Sequence, residues 1–284
     1  MKILLIGSSG FIGSHLMREL LLQKHTVTGF NSESGQDIVK EDMALEAVKD
    51  ADVVINLAAI VGHGNAKKDP FRAIQVNTYG AGNVAYACAR VQKPLIFFSS
   101  SAIYGFNDGK WSTEKSCPNP NEIYGSSKLA AEWIVRACGQ SLGLSYAILR
   151  PSIVYGPGTA MTSPLVTFFN NAKKGDEIVV KGKEYRSYVF IDDLTRAVTL
   201  LLEKRPVNGT INISGADFFS FEEIADRVKE ETGSSAIITL EDQGSARYQK
   251  VDASYAEKIL GWKPRVSMKD GLKRTHMWLG QIKD

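Results

Sequence analysis

The sequence predicts an α/β fold, in which a doubly wound parallel sheet is followed by a smaller C-terminal α/β domain. Short apolar runs at 2–6, 52–57, 94–98 and 144–149 are typical of strands buried on both faces of a parallel sheet. Helical patterns separate these runs, as crossover connections require. After Tyr155 the regular alternation of strand and helix patterns ends, and several glycines and prolines mark a boundary between two units. We therefore predict units at 1–153 and 154–284, with a return of the chain to the first unit around 187–213.

Composition excludes several classes of function. The net charge of +3 suits an anionic small molecule, and without a basic tract it argues little for nucleic acid. No apolar run approaches the roughly 20 residues of a membrane span, and the opening run is too short for a signal peptide. The three cysteines and four histidines show no metal-ligand spacing. We expect a soluble, cytoplasmic protein without a metal site.

The first predicted strand, 2–6, runs into a glycine-rich turn. Gly7, Gly10 and Gly13 form Gly-x-x-Gly-x-x-Gly, and a helical pattern continues from 14 to 22. Glycines permit a tight turn and close approach of the backbone, and the free N–H groups of a helix start bind a pyrophosphate. The context of strand, turn and helix predicts a dinucleotide site here, although the spacing matches the usual Gly-x-Gly-x-x-Gly fingerprint only in part.

The second predicted strand, 25–30, ends where such folds carry an acidic residue for the adenosine ribose. This chain has Asn31, Ser32 and Glu33 there. Asparagine can hydrogen-bond a ribose hydroxyl, and Glu33 would repel a 2′-phosphate, so NAD is favoured while NADP stays possible. Asp37 follows, and its carboxylate could accept a hydrogen bond from the adenine amino group.

The middle elements supply further polar groups at the same edge of the sheet. Helix 43–49 precedes strand 52–57, after which Ala58 and Ala59 leave room for a cofactor. A long helical pattern at 70–91 leads to strand 94–98, which ends in three serines, 99–101. Parallel strands bind ligands at their carboxyl ends, so these hydroxyls are candidate site groups.

Tyr124 and Lys128 lie four residues apart on the predicted helix 124–139, and so on one face. A phenol titrates near about 10, and a nearby ammonium would lower that pKa and make Tyr124 a usable base. A tyrosine and a lysine at this spacing, with no other site residues, usually form a surface pair that has no catalytic role. With a dinucleotide site and a serine, it is a candidate catalytic centre.

The second unit contains short elements. We predict helix 165–174, strands 178–180 and 187–191, helix 193–203, and a helix that begins after a capping box of Ser220 and Glu223. A last predicted helix, 254–260, ends at a glycine that is soon followed by a proline.

Together these residues resemble the extended short-chain dehydrogenase/reductase family, specifically the NAD-dependent epimerase/dehydratase group that acts on nucleotide sugars. The resemblance covers nearly the whole chain. It rests on the order and spacing of the glycine loop, Leu57-Ala58-Ala59, Asn77, Ser99-Ser100-Ser101 with Tyr104-Gly105, Tyr124 with Lys128, Arg150-Pro151 with Tyr155-Gly156-Pro157, Arg186 and Leu260-Gly261-Trp262.

The resemblance implies a Rossmann-type NAD(P)-binding unit at 1–153 and a substrate-binding unit at 154–284. Tyr124 would be the acid/base, Lys128 would hold the nicotinamide ribose, and Ser100 would hydrogen-bond the reacting sugar oxygen. Arg186 would contact the substrate diphosphate, with Arg247 as a second candidate, and Ser101 and Ala102 would line the sugar site. The cofactor would contact Gly7, Gly10, Phe11, Ile12, Gly13, Asn31, Ser32, Asp37, Ile38, Leu57, Ala58, Ala59, Asn77, Tyr124, Lys128 and Ser152.

Departures from the family pattern narrow the implied reaction. Sugar-nucleotide 4,6-dehydratases place Asp and Glu where this chain has Ser101 and Ala102, and the GDP-fucose synthases place a cysteine at Ala102. A 4-epimerase, which oxidises and re-reduces the sugar C4 position, and a 4-ketoreductase therefore both stay open. A reductase of non-sugar carbonyls and a non-catalytic cofactor-binding relative are less favoured, and the resemblance suggests a homodimer.

Overall fold

The computed structural model of the protein describes residues 1–204 and 208–282. Its strands are β1 (Lys2–Ile6), β2 (Thr26–Phe30), β3 (Val53–Asn56), β4 (Leu95–Phe98), β5 (Trp111–Ser112), β6 (Tyr146–Pro151), β7 (Ile153–Tyr155), β8 (Ile178–Lys181), β9 (Glu184–Phe190), β10 (Gly209–Ile213), β11 (Phe218–Ser220), β12 (Ile238–Glu241) and β13 (Arg247–Val251). Its helices are α1 (Phe11–Leu22), α2 (Glu41–Val48), α3 (His63–Lys68), α4 (Pro70–Ile74), α5 (Ala81–Arg90), α6 (Ile123–Leu142), α7 (Pro164–Lys174), α8 (Ile191–Lys204), α9 (Phe221–Thr232), α10 (Ser254–Leu260) and α11 (Met268–Leu279).

The large sheet has the strand order β10-β6-β4-β3-β1-β2, and every neighbouring pair is parallel. The chain crosses over between β1 and β3, so the cleft at the carboxyl ends of these strands is where such sheets bind ligands. Residues 31–40 hold a 3₁₀ turn at Ser32–Ser34 and no strand, and β2 therefore forms the edge of the sheet. The predicted Rossmann-type α/β fold is confirmed.

Helices cover both faces of the large sheet, which explains its continuous apolar strands. On one face Leu4 and Ile6 of β1 pack in a core with residues of α2, α5 and α6. On the other face Ile3 and Leu5 pack with residues of α1, α8 and α10. Successive strand residues thus enter two different cores, and neither face can carry a polar side chain without loss of buried apolar area.

The second part of the chain forms its own sheet, with the order β11-β9-β13-β5 and β7 paired to β9. Residues of α7, α9 and α11 pack a third core beneath it. The expected capping box of Ser220 and Glu223 is present at the start of α9. None of the helices in residues 1–204 and 208–282 has the length and apolar character that a bilayer crossing requires.

The predicted return at 187–213 divides between the two sheets. Helix α8 packs in the core of the large sheet and β10 completes that sheet beside β6, whereas β9 belongs to the second sheet. Residues 205–207 of that segment lie outside the described residues. A domain boundary between 153 and 154 stays a prediction.

The long helix predicted at 70–91 is wrong in one respect, because the chain forms α4, a π-helical turn at Gln75–Gly80, and then α5. Asn77 lies in this turn and bonds to two other parts of the chain, the Ile60 backbone and the Ser127 hydroxyl. A widened turn of this kind is common near functional sites, and here it faces the loop after β3.

Candidate active site

The glycine loop between β1 and α1 is shaped to receive a pyrophosphate. A Cβ on Gly13 would collide with the carbonyl oxygen of Gly7, so this glycine lets the helix start lie close to the strand end. A Cβ on Gly10 would meet only that same oxygen, at 3.5 Å, and otherwise face open space. No side chain caps α1 and its first turn holds no acidic residue. The N–H groups at Phe11 and Ile12 can therefore bind an anion.

The residues after β2 use part of their hydrogen-bonding capacity within the protein. Asn31 accepts from the backbone N–H of Ser34 at 3.1 Å and donates to Ser8 Oγ at 3.3 Å. Ser32 lies in the 3₁₀ turn that Asn31 caps. The sequence interpretation placed Asn31 at the adenosine ribose, and the structure gives it this capping role as well.

Asp37 is paired with an arginine that the sequence did not reveal. Arg72 Nη2 donates to Asp37 Oδ2 at 3.1 Å, and the N–H of Val39 donates to Oδ1 at 3.0 Å. Burial acts to raise the pKa of Asp37, but these two donors outweigh it and lower the pKa. Asp37 is therefore ionised at neutral pH, and it can accept from an adenine amine only in competition with Arg72. The neighbouring Ile38 is buried in the core.

Asn77 joins the loop after β3 to the helix that carries Tyr124. Its Oδ1 accepts from the N–H of Ile60 at 2.7 Å, and its Nδ2 donates to the Ile60 carbonyl and, at 3.0 Å, to Ser127 Oγ. The side chain is fully buried. These contacts indicate that Asn77 fixes the half-buried loop of Leu57, Ala58 and Ala59 against α6.

Five buried side-chain polar atoms lack a hydrogen-bond partner among the described residues, and four of them lie at the carboxyl ends of adjacent strands of the large sheet. These four are Asn56 Nδ2 on the last residue of β3, Ser99 Oγ after β4, Ser152 Oγ after β6 and Ser214 Oγ after β10. A buried polar group without a partner is costly, and such groups cluster where a ligand binds. Together with the glycine loop, these atoms show that the cleft fits a dinucleotide and a polar substrate. The sequence indicated Ser99, as one of the three serines after β4, and Ser152, but not Asn56 or Ser214.

Ser100 and Tyr124 lie next to one another in the cleft. Ser100 caps the 3₁₀ turn Ser101–Tyr104, where its Oγ accepts from the N–H of Ala102 at 3.1 Å. A Cβ on Gly125 would come within 2.6 Å of the Ala102 carbonyl oxygen, so this glycine allows α6 to approach the turn.

The pKa of Tyr124 shifts in the direction opposite to that expected from its spacing to Lys128. Burial raises the pKa to about 12, and the interaction with the Ser100 hydroxyl opposes this only in part. The expectation of a lowered pKa is therefore wrong for this structure. The physical reason is that desolvation of the half-buried phenol is the largest effect and Lys128 does not offset it.

Lys128 is 2% exposed, and its Nζ lies 4.8 Å from the centre of the Phe97 ring. Burial lowers the pKa of Lys128 to about 7, and the carboxylate of Glu132, one turn further along α6, acts in the opposite direction. At neutral pH the amine is therefore present in both charged and neutral forms. A lysine in this state can exchange a proton as well as donate hydrogen bonds to a ribose.

Glu132 also forms a buried ion pair with Arg150 at the end of β6. The carboxylate accepts from Arg150 Nε at 2.9 Å and from Nη2 at 2.6 Å. Arg150 Nη1 donates to the Tyr104 hydroxyl at 2.8 Å, which in turn donates to Asn212 Oδ1 at 2.7 Å. This network connects the helix of Lys128 to the serine turn and to β10, so it holds the catalytic elements at fixed separations.

The two predicted substrate arginines, Arg186 and Arg247, lie together on the second sheet. Their guanidinium carbons lie 4.4 Å and 4.7 Å from the centre of the Phe106 ring, and both donate to the carboxylate of Glu184. Arg186 Nη1 also donates to Gln249 Oε1 at 2.7 Å. Gln249 Nε2 donates to the backbone carbonyl of Ser101 at 3.1 Å, which connects the arginine pair to the serine turn.

Comparison with known proteins agrees with this geometry. Residues 3–214 match the model of the NAD dependent epimerase/dehydratase family. An uncharacterised UDP-glucose epimerase of Bacillus subtilis is 29% identical over an alignment of 317 positions, which covers 99% of each chain. A UDP-N-acetyl-alpha-D-glucosaminuronate decarboxylase of Bacillus cytotoxicus is 28% identical over an alignment of 323 positions, which covers 100% of this chain and 99% of the relative.

A solved structure is similar over the same length. UDP-glucuronic acid 4-epimerase from Bacillus cereus, in complex with UDP-glucuronic acid and NAD, is 28% identical with a TM-score of 0.90, and the match covers 99% of each chain. The family match spans most of the sequence, and the fold and the cleft agree with it. The protein is therefore an enzyme of the extended short-chain dehydrogenase/reductase type that belongs to the NAD dependent epimerase/dehydratase family.

Proposed function

We propose that the protein is an NAD-dependent nucleotide-sugar 4-epimerase. The observation that carries the proposal is the connection, through Gln249, between the arginine pair and the serine turn beside Tyr124. In this proposal the arginine pair binds the substrate diphosphate, and the serine turn beside Tyr124 holds the sugar hydroxyl that exchanges a proton. The relatives named above act on UDP-sugars, which are ligands of this kind.

The residues divide the chemistry among themselves. Bound NAD would accept a hydride from the sugar carbon and return it. Tyr124 exchanges the proton of the sugar hydroxyl, and Ser100 holds that oxygen in place by a hydrogen bond. Lys128, one turn from Tyr124 on α6, binds the nicotinamide ribose, and in its charged form it would stabilise the phenolate that accepts the proton in the oxidising half-reaction. The neutral phenol, favoured by the raised pKa of Tyr124, is the form that donates a proton in the reducing half-reaction.

Residues around the cleft support simple transfer of a hydride and a proton. Ala102, two residues after Ser100, has no side-chain acid or base that could remove water from the sugar. A 4-ketoreductase would need the same residues, and the short segment between β2 and α2, which lacks a further strand, is as compatible with it. A sugar with a carboxylate at C6 could also lose carbon dioxide after oxidation at C4, as the decarboxylase relative suggests.

Turnover of a substrate panel separates these activities. Purified enzyme is incubated with UDP-, dTDP- and GDP-sugars, including UDP-glucuronic acid, with and without NADPH, and the products are identified by NMR. We expect interconversion of C4 epimers without added NADPH and without net change in cofactor. Consumption of NADPH with a 4-keto sugar would instead establish the reductase, and release of a pentose nucleotide would establish the decarboxylase.

The arginine pair provides a second test. Arg186→Ala should raise KM for the preferred nucleotide sugar by at least tenfold, because the diphosphate loses a two-pronged guanidinium contact. The control is Arg90→Ala, which removes an exposed arginine of α5. If turnover of every nucleotide sugar is unchanged in Arg186→Ala, the nucleotide-sugar proposal is wrong.

In this proposal residues 1–153 hold the cofactor and 154–284 supply most of the substrate site.

The exposed apolar side chains of the helices around α6 support a homodimer. Trp133 is 62% exposed on α6, and Tyr86 on α5 and Phe71 and Ile74 on α4 are also exposed. Large apolar groups gathered on one set of helices are typical of a helix-packed interface between two copies. Trp133→Glu should shift the mass measured by light scattering from dimer to monomer. The control is Leu22→Glu at the end of α1; if both variants keep the wild-type mass, α6 does not form an interface.

The cytoplasmic location of the protein stays a prediction.

A further inference from the structure

Glu184 lies between the two arginines that we assign to the substrate diphosphate. Its Oε2 accepts from Arg186 Nε at 3.1 Å and from Nη2 at 2.6 Å, and its Oε1 accepts from Arg247 Nη2. The Glu184 side chain is 14% exposed. One carboxylate therefore occupies the fork edge of Arg186, which is the edge that binds phosphate in two-pronged contacts.

The positions of both guanidinium groups are also held by neutral partners. The Phe106 ring stacks against Arg186 and Arg247, and Gln249 accepts from Arg186 on the side away from Glu184. Gln249 is buried and is itself fixed by the carbonyls of Ser101 and Gly105. Without Glu184, Arg186 would keep its contacts with Gln249 and Phe106, and Arg247 would keep its contact with Phe106. We therefore take the negative charge as the main contribution of Glu184 at this site.

We propose that Glu184 is an internal counter-ion that the nucleoside diphosphate must displace, and that it determines the affinity and selectivity of this site. The inference rests on the proposed function. A diphosphate offers acceptors to both arginines and so replaces both contacts of Glu184. A monophosphate replaces one, and it leaves the carboxylate nearby as a repelling like charge. Glu184 therefore disfavours monophosphates and limits how tightly the diphosphate binds.

Isothermal titration calorimetry on Glu184→Gln tests the proposal. UDP, dTDP and GDP are first compared on the wild-type enzyme, and the tightest of them is used together with its monophosphate and its nucleoside. Glutamine keeps the length and one acceptor but removes the charge. We expect about tenfold tighter binding of the diphosphate, equivalent to about 1.4 kcal/mol, and a gain at least as large for the monophosphate. Affinity for the uncharged nucleoside should not change.

Two further variants show that the effect follows the charge. Glu184→Asp keeps the carboxylate on a shorter side chain, so it should not show the gain in diphosphate affinity expected for Glu184→Gln. Glu46→Gln removes an exposed carboxylate that pairs with Lys49 on α2, a helix that packs on the large sheet, and should have no effect. The KM for the preferred nucleotide sugar should fall in Glu184→Gln but not in either of these variants.

The outcomes separate this inference from the proposed function. If Arg186→Ala leaves diphosphate affinity unchanged, the diphosphate site itself is wrongly placed. If Arg186→Ala weakens binding while Glu184→Gln leaves it unchanged or weakens it too, the site stands and the counter-ion role of Glu184 is wrong. A change of nucleoside affinity equal to that of the diphosphate would also overturn it, because a charge effect requires phosphate.

Discussion

Lys128 carries its amine in a position where the positive charge is unfavourable. The side chain packs beside Phe97 in the interior, and burial lowers its pKa from 10.5 to about 7. The unfolded chain therefore binds more protons than the folded protein between pH 7 and about 10, so the free energy of unfolding should rise with pH in that interval. The residue is retained at an energetic disadvantage, as is common for groups that serve chemistry.

Lys128→Met should remove this pH dependence. With the pKa of Lys128 at about 7 in the folded protein, the stability of the wild type should increase by about 2 kcal/mol between pH 7 and pH 9 relative to the variant. Urea denaturation at the two pH values measures the difference. Lys115→Met, which changes an exposed loop lysine, should show the wild-type dependence. Parallel curves for the wild type and Lys128→Met would mean that the lysine is not desolvated.

Tyr124→Phe should lower kcat by about 10²–10⁴-fold, because in the proposed reaction Tyr124 is the group that exchanges a proton with the sugar hydroxyl. The dissociation constant for NAD, measured by fluorescence titration, should stay within about twofold. Tyr255→Phe, on the exposed surface of α10, is the matched control. A kcat near that of the wild type would rule out Tyr124 as the acid/base.

At the scale of elements, the active site depends on how closely α6 approaches the turn Ser101–Tyr104. Gly125 permits the contact with the Ala102 carbonyl, and Asn77 connects α6, through Ser127, to the loop after β3. The π-helical turn at Gln75–Gly80 carries Asn77. This local irregularity therefore positions a side chain that joins two distant segments, the loop after β3 and helix α6. The serine turn, the cofactor loop and the catalytic helix thus have their relative positions fixed by two small features.

Gly125→Ala should move α6 away from Ser100. Alanine normally stabilises a helix interior by about 1 kcal/mol relative to glycine. Here its methyl group would lie 2.6 Å from a backbone oxygen, and we expect a net destabilisation of about 1–3 kcal/mol with a fall in kcat. Thermal unfolding and steady-state kinetics measure both. Gly64→Ala in α3, where a methyl group meets nothing within 4 Å, should keep activity. Unchanged kinetics in Gly125→Ala would show that the approach is not needed.

At the scale of the whole molecule, a buried polar network joins the two sheets. Glu132 and Arg150 are 1% and 3% exposed, and the chain of contacts continues through Tyr104 to Asn212 on β10. Asn212 Nδ2 donates to the backbone carbonyls of Ser112, on β5, and Asp252, which follows β13. The network thus links the large sheet to β5 and to the end of β13, the strand that carries Arg247.

Glu132→Gln should destabilise the protein by about 3–5 kcal/mol, because it leaves the buried Arg150 guanidinium without a counter-charge. Chemical denaturation measures the loss. Replacing both partners, as Glu132→Met with Arg150→Met, should recover much of the stability, since a buried ion pair contributes little net free energy. If the double variant is less stable than Glu132→Gln, the pair contributes through more than mutual neutralisation.

Most of the fold could be predicted because strands buried on both faces leave an unmistakable pattern. Strands predicted at 52–57 and 94–98 correspond to Val53–Asn56 and Leu95–Phe98. The short strands of the second sheet were mostly missed, since they are partly exposed and lack such a run. Their register, which sets Gln249 beside Arg186, depends on contacts far apart in the chain.

The same distinction holds for the site. Tyr124 and Lys128 form a short motif that the sequence indicated directly, and the family resemblance singled out Ser100 among the three serines. The sequence did not indicate Glu184, although it stands two residues before Arg186 on the same side of β9. Its position between two arginines arises only when β13 brings Arg247 beside it. The pKa of Tyr124 was predicted in the wrong direction for a related reason. Spacing along a helix indicates which groups are near one another, but it does not indicate how far burial desolvates them.

Strand β10 has a consequence for how this protein is made. It occupies the edge of the large sheet beside β6, whose residues Tyr146–Pro151 are all buried, yet it is built from Gly209–Ile213, after much of the second part. While a ribosome is still synthesising that intervening segment, the apolar edge of β6 has no partner and is open to strands of other nascent chains. The large sheet can therefore be complete only after residue 213 has been synthesised. Before that point, a chaperone that covers the free edge of β6 should be most effective in preventing aggregation.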